Sequence, residues 1–110
     1  MLNIQTRQEG KTAVITIKGK VNYEATAQLR DVIRSTVDNL QPGLLVINLK
    51  GVTSIDSSGL GLLVGTRDRM DKISGKLHLC ELQSQVEKTF IETNLKNYFR
   101  IFATEPEAGS

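Results

Sequence analysis

The sequence predicts a single α/β domain in which helices pack on a mixed central β-sheet. Three observations predict this class: two short runs with strand character at the start, a nearly continuous apolar run at 44–49, and helical periodicity that alternates with strands after it. With 110 residues, 39% of them apolar, the chain is long enough for one hydrophobic core and too short for two. The predicted order is β-β-α-β-α-β-α-β over 1–104, followed by a flexible tail over 105–110.

The first three predicted elements are a β-hairpin and a helix. Two short runs at 3–8 and 12–18 flank a turn, and every other residue of the second run is apolar, which predicts two strands joined as a hairpin. Asn22 can then cap a helix over 23–39, because its side-chain oxygen can accept a hydrogen bond from a first-turn amide. Apolar residues of that segment fall on one stripe at helical spacing. The Gln-Pro-Gly break at 41–43 ends the helix.

The remaining elements follow from the same two periodicities. Residues 44–49 are almost all apolar, as a strand covered on both faces requires. A loop over 50–56 leads into a second helix, which ends at the Ser-Gly pair before the next strand. After it come a strand at 77–80, a helix at 85–92 and a last strand at 99–102. The alternation of strands with helices predicts parallel neighbouring strands joined by right-handed crossovers.

Composition narrows the classes of partner and site. The net charge of +2 is too small for the electrostatic footprint of a nucleic-acid-binding protein. Cys80 is the only cysteine and His78 the only histidine, so we expect neither an intramolecular disulfide nor a metal site. The N-terminus lacks a signal-peptide pattern, and no stretch approaches the roughly 20 apolar residues of a membrane span. These features predict a cytoplasmic protein with no nucleic acid and no membrane among its partners.

The segment 52–63 carries the polar residues best placed for a function. It leaves a strand, crosses a short loop and opens a helix. Asp56, Ser57 and Ser58 stand where that helix starts, and each can accept hydrogen bonds from first-turn amides, which lack partners inside the helix. We expect Ser58 to act as a cap. Asp56 either coordinates a Mg²⁺ ion carried by a partner or orients the neighbouring serine hydroxyl, or it caps or solvates the turn. Helix capping alone thus accounts for the Asp-Ser-Ser sequence.

Capping does not account for the glycines of the second helix. Each glycine lowers helix propensity by about 1 kcal/mol relative to alanine, so the close approach of another group must favour Gly59, Gly61 and Gly65. We expect Gly65 to allow tight packing of the helix on the sheet. We expect Gly59 to keep the loop surface low enough for another protein to reach the serine hydroxyls. A dinucleotide-binding loop is disfavoured, because the spacing is not Gly-x-Gly-x-x-Gly.

The segment 55–61, Ile-Asp-Ser-Ser-Gly-Leu-Gly, resembles the signature of the anti-sigma-factor antagonists, which belong to the STAS domain family. In that signature the serine directly after the aspartate is phosphorylated by a partner kinase, so the resemblance implies that Ser57 is the phosphoacceptor. The resemblance extends over nearly the whole chain, from an early strand that ends in Gly19 through 74–77 to the closing 93–95. It implies a single STAS-type domain without catalysis of its own.

The resemblance also implies a function, anti-sigma factor antagonism. The unphosphorylated form would bind a kinase-type anti-sigma factor and release the sigma factor, and phosphorylation of Ser57 would switch binding off. The implied partners are an ATP-dependent anti-sigma factor serine kinase and a PP2C-type phosphatase, and no cofactor is implied. The partner-binding surface that it implies consists of Lys20, Asn22, Asp56, Ser57, Ser58, Gly59 and Leu60.

One departure from the family lies in the loop after the second strand. Many relatives carry an acidic pair there, whereas this chain has Lys20 and Asn22 on either side of Val21. Because that loop is expected near Ser57, the lysine changes the partner surface or softens the repulsion of a phosphate. We therefore expect this departure to bear on kinase specificity.

Two other functions stay open at this point. A STAS scaffold in a stress-sensing assembly or a lipid-transport complex would use the same surface without switching. A small enzyme would use Ser57 as a nucleophile, but His78 lies inside a predicted strand, where we expect a structural role and no catalytic base. Cys80 is expected in the core. The charged run 67–72 predicts a solvated helix face, in which Met70 touches either the partner or the core.

Overall fold

Among the residues that the structure describes, five strands form a mixed sheet at the centre of the fold. The structure is a computed structural model that describes residues 2–109. The strands are β1 (Asn3–Glu9), β2 (Thr12–Val21), β3 (Leu44–Ile55), β4 (Lys76–Cys80) and β5 (Arg100–Phe102). They lie side by side in chain order. β1 and β2 pair antiparallel as the predicted hairpin, and the other neighbouring pairs are parallel.

Four helices and one 3₁₀ turn complete the described part of the chain. The helices are α1 (Thr26–Leu40), α2 (Ser57–Lys72), α3 (Ser84–Glu92) and α4 (Glu105–Ala108), and the 3₁₀ turn is Tyr23–Ala25. The first three helices pack on one face of the sheet, and α4 packs on the other. The predicted α/β class and element order are confirmed, with α4 as an addition. Within residues 2–109, no helix combines the length and the apolar character that crossing a membrane requires.

The main hydrophobic core lies between the sheet and helices α1–α3. Alternate residues of a strand point to the same face, and on the core face of β3 Leu45, Ile47 and Leu49 are at most 1% exposed. Phe90 of α3 and Met70 of α2 are fully buried in the same cluster. Burial of one side chain of this size contributes about 1.5–3 kcal/mol, so this layer holds the helices on the sheet. The sequence left open whether Met70 touches a partner or the core, and the structure places it in the core.

Strands β2 and β3 run further than the sequence predicted. The predicted ends were at 18 and 49, but β2 continues to Val21 and β3 to Ile55, so the loop expected over 50–56 is wrong. Irregularities shift the pairing register between positions 16 and 18 and between 19 and 20, which disrupts the strict alternation that predicts a strand. Gly19 accommodates the irregular backbone with a φ of 125°. The extension places Val21 beside Ile55 at the carboxyl edge of both strands.

The glycines of α2 have different surroundings from those that the sequence predicted. A Cβ at Gly59 would lie 2.7 Å from Cγ1 of Ile55 and from Cγ1 of Val21, and 2.9 Å from the Val21 carbonyl oxygen. At Gly61 and Gly65, a Cβ would meet nothing within 4 Å. The expectation that Gly65 serves tight packing is therefore wrong, because that residue is exposed. Close packing of α2 on the sheet instead requires Gly59.

The structure places a short helix where the sequence predicted a flexible tail over 105–110, of which residue 110 lies outside the described residues. Residues Glu105–Ala108 form α4, which begins with a capping box. The Thr104 hydroxyl accepts a hydrogen bond from the Glu107 amide, and the Glu107 carboxylate accepts one from the Thr104 amide. The residues of this segment therefore fix the start of the short helix. The capping box joins Thr104 to Glu107, so it crosses the domain boundary expected at 104.

Helix α4 closes over the second face of the sheet. Ala108 is fully buried with Val46 and Cys80, and its carbonyl oxygen lies 2.7 Å from Nδ1 of His78. His78 is 6% exposed, which confirms a structural role. Burial, together with nearby carboxylates, raises the pKa of the Cys80 thiol to about 12, so this residue stays protonated at neutral pH. Residues on both faces of β3 are buried, as its apolar run predicts.

Glu105 ties α4 to the sheet. Its Oε2 lies 2.7 Å from Nη2 of Arg7, and its Oε1 accepts a 2.9 Å hydrogen bond from Nδ2 of Asn48. These two contacts, with Arg7 as the larger cause, hold the pKa of the Glu105 carboxyl below its usual value. A lowered pKa means that the carboxylate stabilises the fold above the pKa of the unfolded chain. That contribution is lost as the pH falls through the pKa of the folded state.

We expect alanine at Gly59 to lower the free energy of unfolding, and alanine at Gly61 or Gly65 to raise it. Gly59→Ala forces a methyl group into the sheet and should lower the free energy of unfolding by about 1–3 kcal/mol. Gly61→Ala and Gly65→Ala should each raise it by about 0.4–1 kcal/mol, because alanine favours a helix and meets no neighbour at either position. Urea unfolding of the three variants beside wild type measures the difference. Similar losses at all three positions would contradict the packing described for α2.

Glu105→Gln should destabilise the protein at neutral pH and lose that effect in acid. Because glutamine cannot form an ion pair with Arg7, the variant should melt below wild type at pH 7. The two melting temperatures should converge as the pH falls below the ordinary glutamate pKa of about 4.3. Glu92→Gln is the matched control, since Glu92 is exposed and its side chain has no hydrogen bond or ion pair within residues 2–109. A difference between Glu105→Gln and wild type that does not change with pH would contradict the role given to the carboxylate.

Candidate functional site

The candidate site lies at the carboxyl edge of β2 and β3. These strands end at Val21 and Ile55, which pair in register, so the segments that follow them start side by side. The 3₁₀ turn Tyr23–Ala25 comes after β2, and the first turn of α2 comes after β3. The carboxyl edge of parallel strands is where α/β proteins commonly place their binding loops. The structure therefore brings together the two segments that the sequence assigned to one surface.

Asp56 joins these two segments through both oxygens of its carboxylate. Oδ1 accepts a 3.1 Å hydrogen bond from the Gly59 amide, which makes Asp56 the N-cap of α2. Oδ2 accepts a 3.1 Å hydrogen bond from the amide of Tyr23. The Asp56 amide in turn donates to the carbonyl oxygen of Val21 at 3.1 Å. The capping role expected for Asp56 is confirmed, and the residue also fixes α2 relative to the 3₁₀ turn.

Asn22 fixes the 3₁₀ turn in a similar way. Its Oδ1 accepts a 3.1 Å hydrogen bond from the Ala25 amide, and Oγ1 of Thr26 donates to the Tyr23 carbonyl oxygen at 2.7 Å. The predicted capping role of Asn22 is confirmed, although the capped element is the 3₁₀ turn and α1 begins only at Thr26. Lys20 is exposed near the end of β2. Asn22 therefore shapes the surface, and Lys20 places a positive charge at its rim.

The two serines of the first turn of α2 differ in their surroundings. Ser57 is the first helical residue and is exposed, and its hydroxyl makes no hydrogen bond with any residue that the structure describes. Ser58 is half-buried. The expectation that Ser58 caps the helix is wrong, because Asp56 occupies the capping position. Ser57 is thus the hydroxyl that another protein can reach most directly.

Gly59 and Leu60 do not contribute to the exposed surface that the resemblance assigned to them. Both are buried, and Leu60 is 3% exposed with its side chain in the main core cluster. The reason is the close approach of the first turn of α2 to the sheet, which directs this side of the helix inward. These two residues support the surface from beneath. The predicted residues that keep some exposure are Lys20, Asn22, Asp56, Ser57 and Ser58.

Tyr23 belongs to this surface and was not predicted from the sequence. Its side chain is 76% exposed, and its amide binds the Asp56 carboxylate. Exposed aromatic side chains are enriched at protein interfaces because they combine a large apolar area with a polar group. The available signal was an aromatic residue directly after the capping Asn22. The helix predicted over 23–39 gave no reason to expect that side chain to point away from the core.

Within residues 2–109, no base is paired with the Ser57 hydroxyl. A nucleophilic serine needs a base within hydrogen-bond distance, and the Ser57 hydroxyl has no such partner within residues 2–109. His78, the one histidine of the sequence, is buried on the opposite face of the sheet beneath α4. In the part of the chain that the structure describes, no group of three or more His, Cys, Asp or Glu side chains is placed to hold a metal ion.

The chain is similar to known anti-sigma factor antagonists over nearly its whole length. It is 28% identical over 107 residues to an anti-sigma F factor antagonist of Lysinibacillus sphaericus, with 97% of this chain and 88% of that protein covered. It is 26% identical over 102 residues to an anti-sigma-B factor antagonist of Staphylococcus aureus, with 91% and 92% covered.

Solved structures of one such antagonist, SpoIIAA, share this fold. Its unphosphorylated form matches with a TM-score of 0.82 at 26% identity, and the match covers 96% of this chain and 92% of that one. The phosphorylated form of SpoIIAA, from Bacillus, matches with a TM-score of 0.73 at 25% identity, and the match covers 96% of both chains.

The family match covers nearly the whole described structure. The STAS domain model matches residues 3–108, a span that includes β1 through β5 and α1 through α4. It therefore takes in the short C-terminal helix that the sequence had assigned to a tail. The resemblance carried by the signature at 55–61 is confirmed, and the chain belongs to the STAS domain family.

Proposed function

We propose that this protein is an anti-sigma factor antagonist, which binds a kinase-type anti-sigma factor and thereby releases a sigma factor. The observation that carries the proposal is the exposed hydroxyl of Ser57, which directly follows the Asp56 cap on a surface that Tyr23 extends. The names of similar proteins support antagonism, and SpoIIAA has been solved in unphosphorylated and phosphorylated forms. In our proposal, phosphorylation of Ser57 switches binding off.

The fold can accept a phosphate on Ser57. A phosphoserine carries a charge of about −1.5 to −2 and three acceptor oxygens. The N-terminus of α2 offers backbone amides and the positive end of the helix dipole to such a group. Ser57 is exposed, so the phosphate would displace no core side chain. The modified protein should keep its fold, and the effect of the phosphate should fall on whatever contacts this surface.

A bound partner would tolerate the phosphate far less well than the free protein. The neighbouring Asp56 carboxylate has both oxygens bonded to backbone amides, so it cannot turn away from a second negative charge without breaking the cap. Burying an unpaired charge in an interface costs on the order of 2–5 kcal/mol. Lys20 at the exposed rim offsets at most about 1 kcal/mol of this, because water screens an exposed ion pair. Binding would therefore be lost while the fold persists.

The proposed partners follow from this switch. The anti-sigma factor acts as an ATP-dependent serine kinase, which moves the γ-phosphoryl group of ATP to the Ser57 oxygen and leaves ADP. A PP2C-type phosphatase hydrolyses the phosphoserine and restores binding. In this proposal the protein itself catalyses neither step, and the exchange takes place in the cytoplasm.

Incubation with the cognate anti-sigma factor kinase and ATP should add one phosphate to the wild-type protein and none to Ser57→Ala. Ser58→Ala is the matched control, because it removes the neighbouring hydroxyl and should still accept the phosphate. Intact-mass spectrometry detects the modification, and peptide mapping locates it. A phosphate found on any residue other than Ser57 would sink the assignment.

Ser57→Asp should separate fold stability from partner binding. An acidic side chain near a helix N-terminus is stabilising by about 0.3–1 kcal/mol, so the free energy of unfolding should stay within about 1 kcal/mol of wild type. Affinity for the anti-sigma factor should fall by about 2–5 kcal/mol, or roughly 30-fold to several-thousand-fold in Kd. Titration calorimetry beside a melting curve measures both quantities.

The outcomes of that experiment distinguish the candidate functions. Unchanged affinity with an intact fold would contradict the switch and favour a non-switching STAS scaffold, as in a stress-sensing or lipid-transport complex. A collapse of the melting temperature would show that the fold needs the Ser57 hydroxyl, and the functional role given to it would be wrong.

A further inference from the structure

A basic groove lies between α1 and α2, next to the surface that carries Ser57. Its volume is about 300 Å³. Three arginines line it, Arg30 and Arg34 from α1 and Arg69 from α2, and no acidic side chain of the described residues does. This concentration of positive charge contrasts with a net charge of only +2 for the whole chain. The positive charge is therefore concentrated in the groove between these two helices.

Two of these arginines have no partner within residues 2–109. Nη1 of Arg69 lies 3.1 Å from Oδ1 of Asp38, so its charge is partly compensated. Arg30 and Arg34 are exposed, and their side chains form no hydrogen bond or ion pair with any residue of that range. They stand four residues apart, so both side chains rise from one face of α1. Because a guanidinium group binds carboxylates through paired hydrogen bonds, this wall favours an acidic occupant.

The α2 side of the groove exposes backbone at two positions. Gly61 and Gly65 line it, also four residues apart, and a Cβ at either position would meet nothing within 4 Å. Packing of α2 on the sheet requires Gly59, but it does not require Gly61 or Gly65. Their effect is to let another backbone approach α2 more closely than larger side chains would permit.

The length of the groove suits a helical occupant. The residues of α2 that line it run from Ser58 to Arg69, which is about 16 Å of helix at 1.5 Å per residue. A groove of this length between two helices can receive side chains from a third helix that lies along it for about three turns, a common mode of protein recognition. Ser58 directly follows Ser57, so the groove and the surface of the proposed switch share an edge.

We propose that this groove receives an acidic helix of the anti-sigma factor, whose carboxylates pair with Arg30 and Arg34. The inference rests on the proposed function, since it concerns the same partner. The partner helix lies over Gly61 and Gly65 while another part of the partner contacts Ser57. Contacts in the groove then stabilise the complex, and the phosphorylation state of Ser57 decides whether the complex forms.

Charge reversal and groove filling test this inference. The binding partner is the anti-sigma factor that the wild-type protein retains from an extract of its source cells, purified and titrated by calorimetry. Arg30→Glu combined with Arg34→Glu should weaken binding by about tenfold or more, because like charges then face each other. Gly65→Leu should weaken it by a similar factor, because the leucine occupies the space of the partner helix. The affinity of wild type should fall as the NaCl concentration rises, whereas that of the double variant should not fall, because salt then screens a repulsion.

Matched controls separate these effects from general damage. Arg100→Glu reverses one charge, half of the change in the double variant, at an exposed position on β5 on the sheet face away from α1 and α2, and should bind within about twofold of wild type. Gly65→Ala adds only a methyl group and should bind more tightly than Gly65→Leu. Gly65→Leu should melt no lower than wild type, since leucine favours a helix and meets open space there.

The results also separate this inference from the proposed function. Groove variants that bind like wild type, while Ser57→Asp abolishes binding, would overturn the groove and leave the switch intact. An equal loss from Arg100→Glu would show a general charge effect and would also overturn it. If the wild-type protein retains no anti-sigma factor, the proposed function and the groove are both contradicted.

Discussion

The carboxylate of Asp56 is the contact on which the rest of the candidate site depends. One of its oxygens caps α2 and the other binds the turn after β2, each through a 3.1 Å hydrogen bond. The carboxylate can reach both only because β2 and β3 stay paired as far as Val21 and Ile55. Gly59 completes the arrangement, since any side chain there would push the first turn of α2 off the two strands. These two hydrogen bonds of Asp56 hold the residues on either side of it in position.

The same bridge explains why the proposed phosphorylation of Ser57 would leave the fold unchanged. Asp56 and Asn22 satisfy the backbone of the two segments, the core lies beneath them, and the Ser57 hydroxyl forms no hydrogen bond within residues 2–109. A group with no structural role can be modified at little cost in stability. Its environment at a helix N-terminus further favours a negative charge. Control of binding at Ser57 is therefore compatible with a rigid domain.

Helix α2 meets different demands on its two sides. Its inner side carries Leu60 and Met70, both buried, and lies closest to the sheet at Gly59. Its outer side carries Gly61 and Gly65, which face open space beside the arginines of α1. Glycine thus occurs in one helix for two opposite reasons. On the inner side it allows close packing within the molecule, and on the outer side, as we propose, it leaves room for a helix of the partner.

The sequence by itself determined the α/β class, the order of its elements and the segment that carries Ser57. It could do so because helical and strand periodicities, caps and the Asp-Ser-Ser-Gly signature are local patterns. Only the tertiary structure decided where β3 ends, which glycine touches the sheet, and that α4 packs back on it through Glu105. Those features depend on the register of paired strands and on contacts between residues distant in the chain, such as Glu105 with Asn48. Such interactions leave no local pattern in the sequence, because the fold as a whole determines which distant residues come into contact.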